Sequence, residues 1–255
     1  MRGYKIFQTS LLIGGLVLGG VFQSASAVEI KVLSAGAIEP GMRPAVAAFE
    51  KESGHQIKLQ FNTAPQLRKR ITDGEAWDVV LAPPTAIDEF AKAGKAEASA
   101  VNVGRVGLGV AVRPGAPVPD LTSVESLQAA IIKADSLVFN RASTGLYLEA
   151  WLKKQGLYDQ VQARSTRYPD GASVLEHVLK GRGTEIGFGA ITEILLYRDK
   201  GLKFVGPLPA DIQNYTSYSA TVMTGTAQAA AARAFVAYLG GASGQAIFKA
   251  AGIEP

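Results

Sequence analysis

The chain has no cysteine among its 255 residues. That absence excludes disulfide bonds, thiolate metal sites and cysteine nucleophiles. Histidine is nearly absent too, with only His55 and His177. No metal-ligating spacing such as H-E-x-x-H is present, and no serine sits in a nucleophile-elbow pattern. No catalytic residue, metal or other cofactor is therefore expected. Gly107 and Gly109 give only a GxG within a strand pattern, the wrong context for a dinucleotide. The charge is not strongly of one sign: the net value is +4, without the clustered basic face of a nucleic-acid binder. Internal repeats and low-complexity linkers are missing as well. Beyond the first segment, no apolar stretch nears the ~20 residues of a membrane span.

One apolar run does stand out. Arg2 and Lys5 open the chain, an apolar run follows from Leu11 to Phe22, and Ala25-Ser26-Ala27 supplies small-x-small residues. This is the pattern of a cleavable export signal over residues 1–27. The run is short for a membrane anchor. The working protein is then expected to begin near Val28 with 228 residues, and loss of Arg2 and Lys5 takes the net charge from +4 to +2. Such a length buries a sizeable core without disulfides. The expected location is the periplasm of a Gram-negative cell.

Past Val28 the chain alternates short apolar strands with amphipathic helices. Strands are predicted at Val28–Ser34, Gln56–Phe61 and Trp77–Ala82. Helices follow each: Ile38, Met42, Val46 and Phe49 mark the first, closed by Ser53-Gly54, and Pro65–Asp73 and Ile87–Ala93 form the others. Glu39 and Arg43 lie four apart on the outer side of the first helix. The long extended run Arg105–Arg113 then leaves this unit, followed by Pro114, Pro117 and Pro119. A second series has helices near Ser123–Ala134, Thr144–Gln155 and Asp170–Leu179, with strands at Ser136–Asn140 and Glu185–Gly189. A second extended run, Tyr215–Met223, precedes the closing helices Ala227–Leu239 and Ser243–Ala250, which are expected to pack back on the first unit. The predicted fold class is α/β: a two-lobed binding-protein fold with mainly parallel sheets flanked by helices and two crossing strands as hinge. Residues 28–107 and 223–255 are assigned to the first lobe, and 108–222 to the second.

In open α/β sheets, ligands bind beyond the carboxyl ends of the strands. Four such loops share small and hydroxyl residues before a helix: Ser34-Ala35-Gly36-Ala37, Asn62-Thr63-Ala64-Pro65, Arg141-Ala142-Ser143-Thr144-Gly145, and Tyr168-Pro169-Asp170-Gly171-Ala172-Ser173. Each residue type also suits ordinary helix capping. Together, four helix starts with free N–H groups suit a small anion. A helix start contributes about 0.3–1 kcal/mol at the surface and up to ~2 when partly buried.

The stretches VLSAGAIEPGMRPAVAAFEKESGHQI, DVVLA, STGLY and AIFKAAGI resemble the molybdate-binding (ModA-like) family, periplasmic receptors of ABC importers. The resemblance spans about Val28 to Ile253 and identifies the chain as a divergent member. It implies two α/β lobes that bind a tetrahedral oxyanion through serine hydroxyls, backbone amides and a tyrosine. Carried over, the first family serine falls on Ala37, which keeps only its backbone. The second falls near Thr63 or Ala64, and Thr63 keeps a hydroxyl. The small residue before a glycine falls on Thr144, followed by Gly145. The next backbone contact falls near Gly171 or Ala172. The family tyrosine falls in Gly187–Ala190, where none stands. The expected ligand-binding set is Ser34, Gly36, Ala37, Thr63, Arg141, Ser143, Thr144, Gly145, Gly171 and Ala172. Arg141 and Arg167 add guanidinium groups, which suit a carboxylate bidentately, so molybdate, another oxyanion and an organic carboxylate remain open. Arg68, Lys69 and Arg70 read as a solvated face.

The resemblance implies a monomer that binds a small anionic ligand and docks on an inner-membrane permease. The resembled family is broad and includes isomerases acting on aconitate. That chemistry needs a base: His177 lies mid-helix and reads as structural or exposed, His55 sits in an exposed turn, and Glu193, in the ITEI stretch, is a possible base at a helix start that capping explains as well.

Overall fold

The structure, a computed structural model, describes residues 27–255. The predicted export signal lies outside the described residues, apart from Ala27. The first series runs β1 (Glu29–Ala35), α1 (Glu39–Ser53), β2 (Gln56–Asn62), α2 (Ala64–Thr72), β3 (Val79–Ala82) and α3 (Pro84–Lys92). A short 3-10 turn, Gly36–Ile38, joins β1 to α1. At the end of α1, Gly54 takes a left-handed backbone (φ 74°), which glycine adopts without a Cβ penalty. Glu39 and Arg43 pair on its outer side, with Nε donating to the carboxylate at 2.7 Å.

The chain then crosses on β4 (Val101–Val112). The second series is α4 (Val124–Lys133), β5 (Leu137–Asn140), α5 (Ser143–Lys154), α6 (Tyr158–Val161), β6 (Ser165–Tyr168), α7 (Gly171–Lys180), β7 (Ile186–Ala190), α8 (Ile191–Leu196) and β8 (Lys203–Pro207). It returns on β9 (Tyr215–Val222) and closes with α9 (Ala229–Gly240) and α10 (Ala242–Ala250).

The strands hydrogen-bond in the order β2-β1-β3-β9-β4-β7-β5-β6, with β8 added on β4. The strands proper to each half are parallel: β1 with β2 and β3, and β5 with β6 and β7. Every antiparallel pair involves β4 or β9. The sheet is thus mixed, and the expectation of mainly parallel sheets applies within each half. Parallel neighbours need a helical crossover between them, whereas an outgoing and a returning strand pair antiparallel.

The buried apolar side chains divide between the halves. One core joins β1, α1, α2, β3 and α3 to Tyr218, Ala220 and Val222 of β9 and to Phe235 and Phe248 of the last two helices. These helices pack back on the first unit, as their lack of a sheet of their own requires. The second half has a core on each face of its sheet. Leu137 and Phe139 point to the α4–α5 side, while Val138 points to the α7–α8 side. A short strand buried on both faces reads as a continuous apolar run, and LVFN is one. The division falls within β4: Val106 belongs to the first core and Leu108 to the second.

Candidate functional site

Five strands of the two halves end at one place. β1 delivers Ala35, Gly36 and Ala37; β2 delivers Asn62, Thr63 and Ala64; β3 ends at Pro83. From the second half, β5 delivers Asn140, Ala142, Ser143 and Thr144, and β7 delivers Ala190 and Glu193. Tyr218 of β9 completes the wall. The cavity measures about 30 Å³, on a scale where a single water needs roughly 10–15 Å³. No lysine or arginine lines it.

Each wall is held by its local sequence. Asn140 is buried, and its side-chain oxygen accepts from the backbone N–H of Ala142 (3.0 Å), the hydroxyl of Thr144 (3.1 Å) and the N–H of Gly145 (3.0 Å). That fixes the turn into α5. The close approach needs Gly145, because any Cβ there would overlap the Asn140 carbonyl. On the opposite wall the Gln66 side chain reaches back to the start of α2, accepting from the Thr63 N–H at 2.8 Å and its hydroxyl at 3.0 Å. This is a capping arrangement. Arg70 steadies the same loop by donating to Asn62 at 2.7 Å and Gln60 at 2.9 Å. The two halves also bond directly: the Thr192 hydroxyl of α8 donates to the Ala37 carbonyl, in a buried contact.

Glu193 is the one acidic side chain on the cavity. Its carboxyl packs against Gly171 at the start of α7 and faces Gly36, and a Cβ at Gly171 would overlap it. Burial, aided by the acids Asp170 and Glu39, pushes Glu193 up to about 7. Burial also raises the Tyr218 phenol above its usual value, with the Glu193 carboxyl adding to the effect. The site therefore offers peptide N–H groups, hydroxyls, a phenol and one carboxyl balanced near neutrality.

A family model described as bacterial extracellular solute-binding protein matches residues 30–254. The chain belongs to that family. It is a divergent member on the molybdate-binding side. It is 27% identical to an aconitate isomerase from a Pseudomonas species, with 96% of each chain covered. It is 26% identical to the molybdate-binding protein ModA of Azotobacter vinelandii, over 96% of this chain and 98% of the other. The solved Azotobacter vinelandii periplasmic molybdate-binding protein matches with a TM-score of 0.74 at 20% identity, over 89% of this chain and 99% of that one, a likeness of fold.

Of the site residues expected from sequence, the structure of this solute-binding protein brings Gly36, Ala37, Thr63, Ser143 and Thr144 to the cavity. Gly145 and Gly171 stand directly behind it, one bonding Asn140 and the other backing Glu193. The others are not brought there. Ser34 is wholly buried, and its hydroxyl donates to the Ala35 carbonyl at 3.2 Å. Ala172 is exposed on the outer side of α7. Arg141 is exposed too; only its backbone is engaged, donating to the Tyr168 carbonyl at 2.8 Å. Arg167 turns from the cavity, pairing with Glu149 and lying over the Phe139 ring. Tyr168 bonds His177 at 2.8 Å. Of the basic run on α2, Arg68 and Lys69 pair with Glu89 and Asp73 on the outside, while Arg70 turns in to support the Asn62 loop.

Sequence reasoning missed Asn140 and Tyr218. No tyrosine stands in Gly187–Ala190, yet the cavity gains one from the crossing strand. The signal was the two-residue alternation of β9, which places Thr216, Tyr218, Ala220 and Val222 on one buried face.

Proposed function

We propose that this solute-binding protein is the exported receptor of an ABC importer and holds a small anion between two lobes. Residues 28–107 and 223–255 form the body of the first lobe and residues 108–222 that of the second; β4 and β9 act as the hinge, with Tyr218, Ala220 and Val222 of β9 packed in the first core. The observation that carries the reading is the cavity between the halves, where strand ends from both present helix starts and hydroxyls without a cation. Peptide N–H groups at Gly36, Ala37, Ser143 and Thr144 bind the anion, with the Asn140 amide and the Tyr218 phenol beside them, while the Thr63 N–H stays with Gln66 and shapes the opposite wall. The cavity of about 30 Å³ suits a compact oxyanion better than a tricarboxylate. Closure is driven by contacts that form only when both lobes reach the ligand. The closed monomer then docks on the permease in the inner membrane, after export to the periplasm by a signal over residues 1–27. A melting screen against oxyanions and di- and tricarboxylates tests this. A ligand at a hundred times its Kd adds about 2.7 kcal/mol; no shift with any anion contradicts the reading.

A second reading, a periplasmic isomerase of an unsaturated tricarboxylate, is favoured by Glu193. Proton transfer needs a base balanced near the working pH, and Glu193 is pushed up to about 7 on the cavity wall. The similarity to an aconitate isomerase supports it. Conversion of cis- to trans-aconitate, followed by NMR, separates the two. Turnover lost in Glu193→Gln favours the isomerase; stoichiometric binding without product rejects it.

A further inference from the structure

We propose that the cleft takes up its anion together with one proton, held between the Glu193 carboxyl and the ligand. This rests on the anion-binding reading and names the ligand class it implies: an anion that carries an acid proton, or recruits one.

The argument begins with the shape of the cavity. At about 30 Å³ it leaves no room to keep two like charges apart, and Glu193 is part of its wall. No backbone or side-chain donor among the described residues bonds the carboxyl, although it lies against the α7 start at Gly171 and near Gly36. Elements packed on α8 bring no cation to it. They bring Glu39 from α1, Asp170 from the turn into α7, and the Tyr218 phenol from β9. Of their basic residues, Arg43 pairs with Glu39, Arg105 with Glu254, and Lys180 and Lys200 with Glu176, and His177 bonds Tyr168; Lys51, Arg198 and Lys203 are exposed and do not line the cavity. An ionised Glu193 would therefore repel an ionised ligand across a narrow, half-buried site, where such repulsion is less screened than at the open surface. A single proton removes the conflict. With the proton on Glu193, the carboxyl donates to the anion. With the proton on the ligand, the ligand donates to the carboxylate. Either bond is charge-assisted and short.

The coupling has consequences for selectivity. Above neutral pH, an oxyanion without a proton, such as molybdate or sulfate, must draw one from water to bind. Hydrogen phosphate brings its own. The balance point follows from the burial of Glu193, which sets its titration at about 7.

Calorimetric titrations with molybdate, sulfate, phosphate and cis-aconitate, from about pH 6 to about pH 9 and in buffers of different ionisation enthalpy, test the proposal. For molybdate or sulfate, affinity should fall about tenfold per pH unit above neutrality, with close to one proton taken up per anion. At the alkaline end, phosphate should lose far less. Glu193→Gln, which keeps the shape and cannot ionise, should flatten the pH dependence. Binding of molybdate or sulfate that stays level across this range, with no buffer-dependent heat, overturns the proton coupling and leaves the anion reading standing. Absence of binding by all four anions at every pH overturns both. The buffer comparison uses the unaltered protein, so the result does not depend on the variant folding.

Discussion

At the scale of single residues, Glu193 gives the protein a pH dependence even without ligand. Its folded value is about 7 against an ordinary 4.5. Between these values the folded state holds the proton that the unfolded chain releases. The group's contribution is therefore fully present below about pH 4.5 and is lost as pH rises through 7. The difference amounts to about 3 kcal/mol. Denaturant unfolding should show Glu193→Gln gaining roughly that much on the unaltered protein between about pH 5 and about pH 8; equal slopes with pH would contradict the buried carboxyl. Gly145 makes a second residue-scale case. A methyl there meets the Asn140 carbonyl, which is fixed backbone, and overpacking of this kind costs about 1–3 kcal/mol or more. Gly145→Ala should lower the unfolding free energy by that amount, and anion affinity should fall with it, since the α5 start would move. Unchanged stability and affinity would show that the loop has slack.

At the scale of elements, the bond across the cleft is the most exposed to test. Thr192 on α8 donates to Ala37 in the turn before α1, so under the proposed hinge motion it would form only as the halves meet. Thr192→Val keeps the shape and removes the donor. One such bond contributes about 0.5–1.5 kcal/mol, so anion affinity should drop by a few-fold to tenfold, and small-angle scattering should show a larger radius of gyration without ligand. An unchanged profile and affinity would mean that closure does not use this contact.

What the sequence made legible follows the same scale. Elements with strong periodicity, such as α1 and β9, lie within a residue or two of where their patterns put them. β6 and β8 escaped notice. STRY is short and polar, and KFVGP ends in proline; both become strands only because β5 and β4 offer partners. The cavity was legible where a helix start carries small residues. It was not legible where a side chain arrives from another element, as Tyr218 does, or where a polar residue ends a buried strand, as Asn140 does.

At the scale of the whole molecule, the cores of the two halves share one continuous sheet, and only β4 and β9 carry it from one half to the other. Family membership fits this architecture, and the departures at Ala37 and Gly187–Ala190 from the resembled pattern explain why the ligand must be read from the cavity itself. Ala37 stands on the cavity where the resemblance expects a serine, Tyr218 reaches it from the crossing strand, and Glu193 lies on its wall.

The most direct test of an anion held in this cleft is a calorimetric titration of the purified protein with a panel of oxyanions and carboxylates near neutral pH. The account predicts saturable binding of at least one of them, one per chain. Titrations without saturation for every anion in the panel would contradict it.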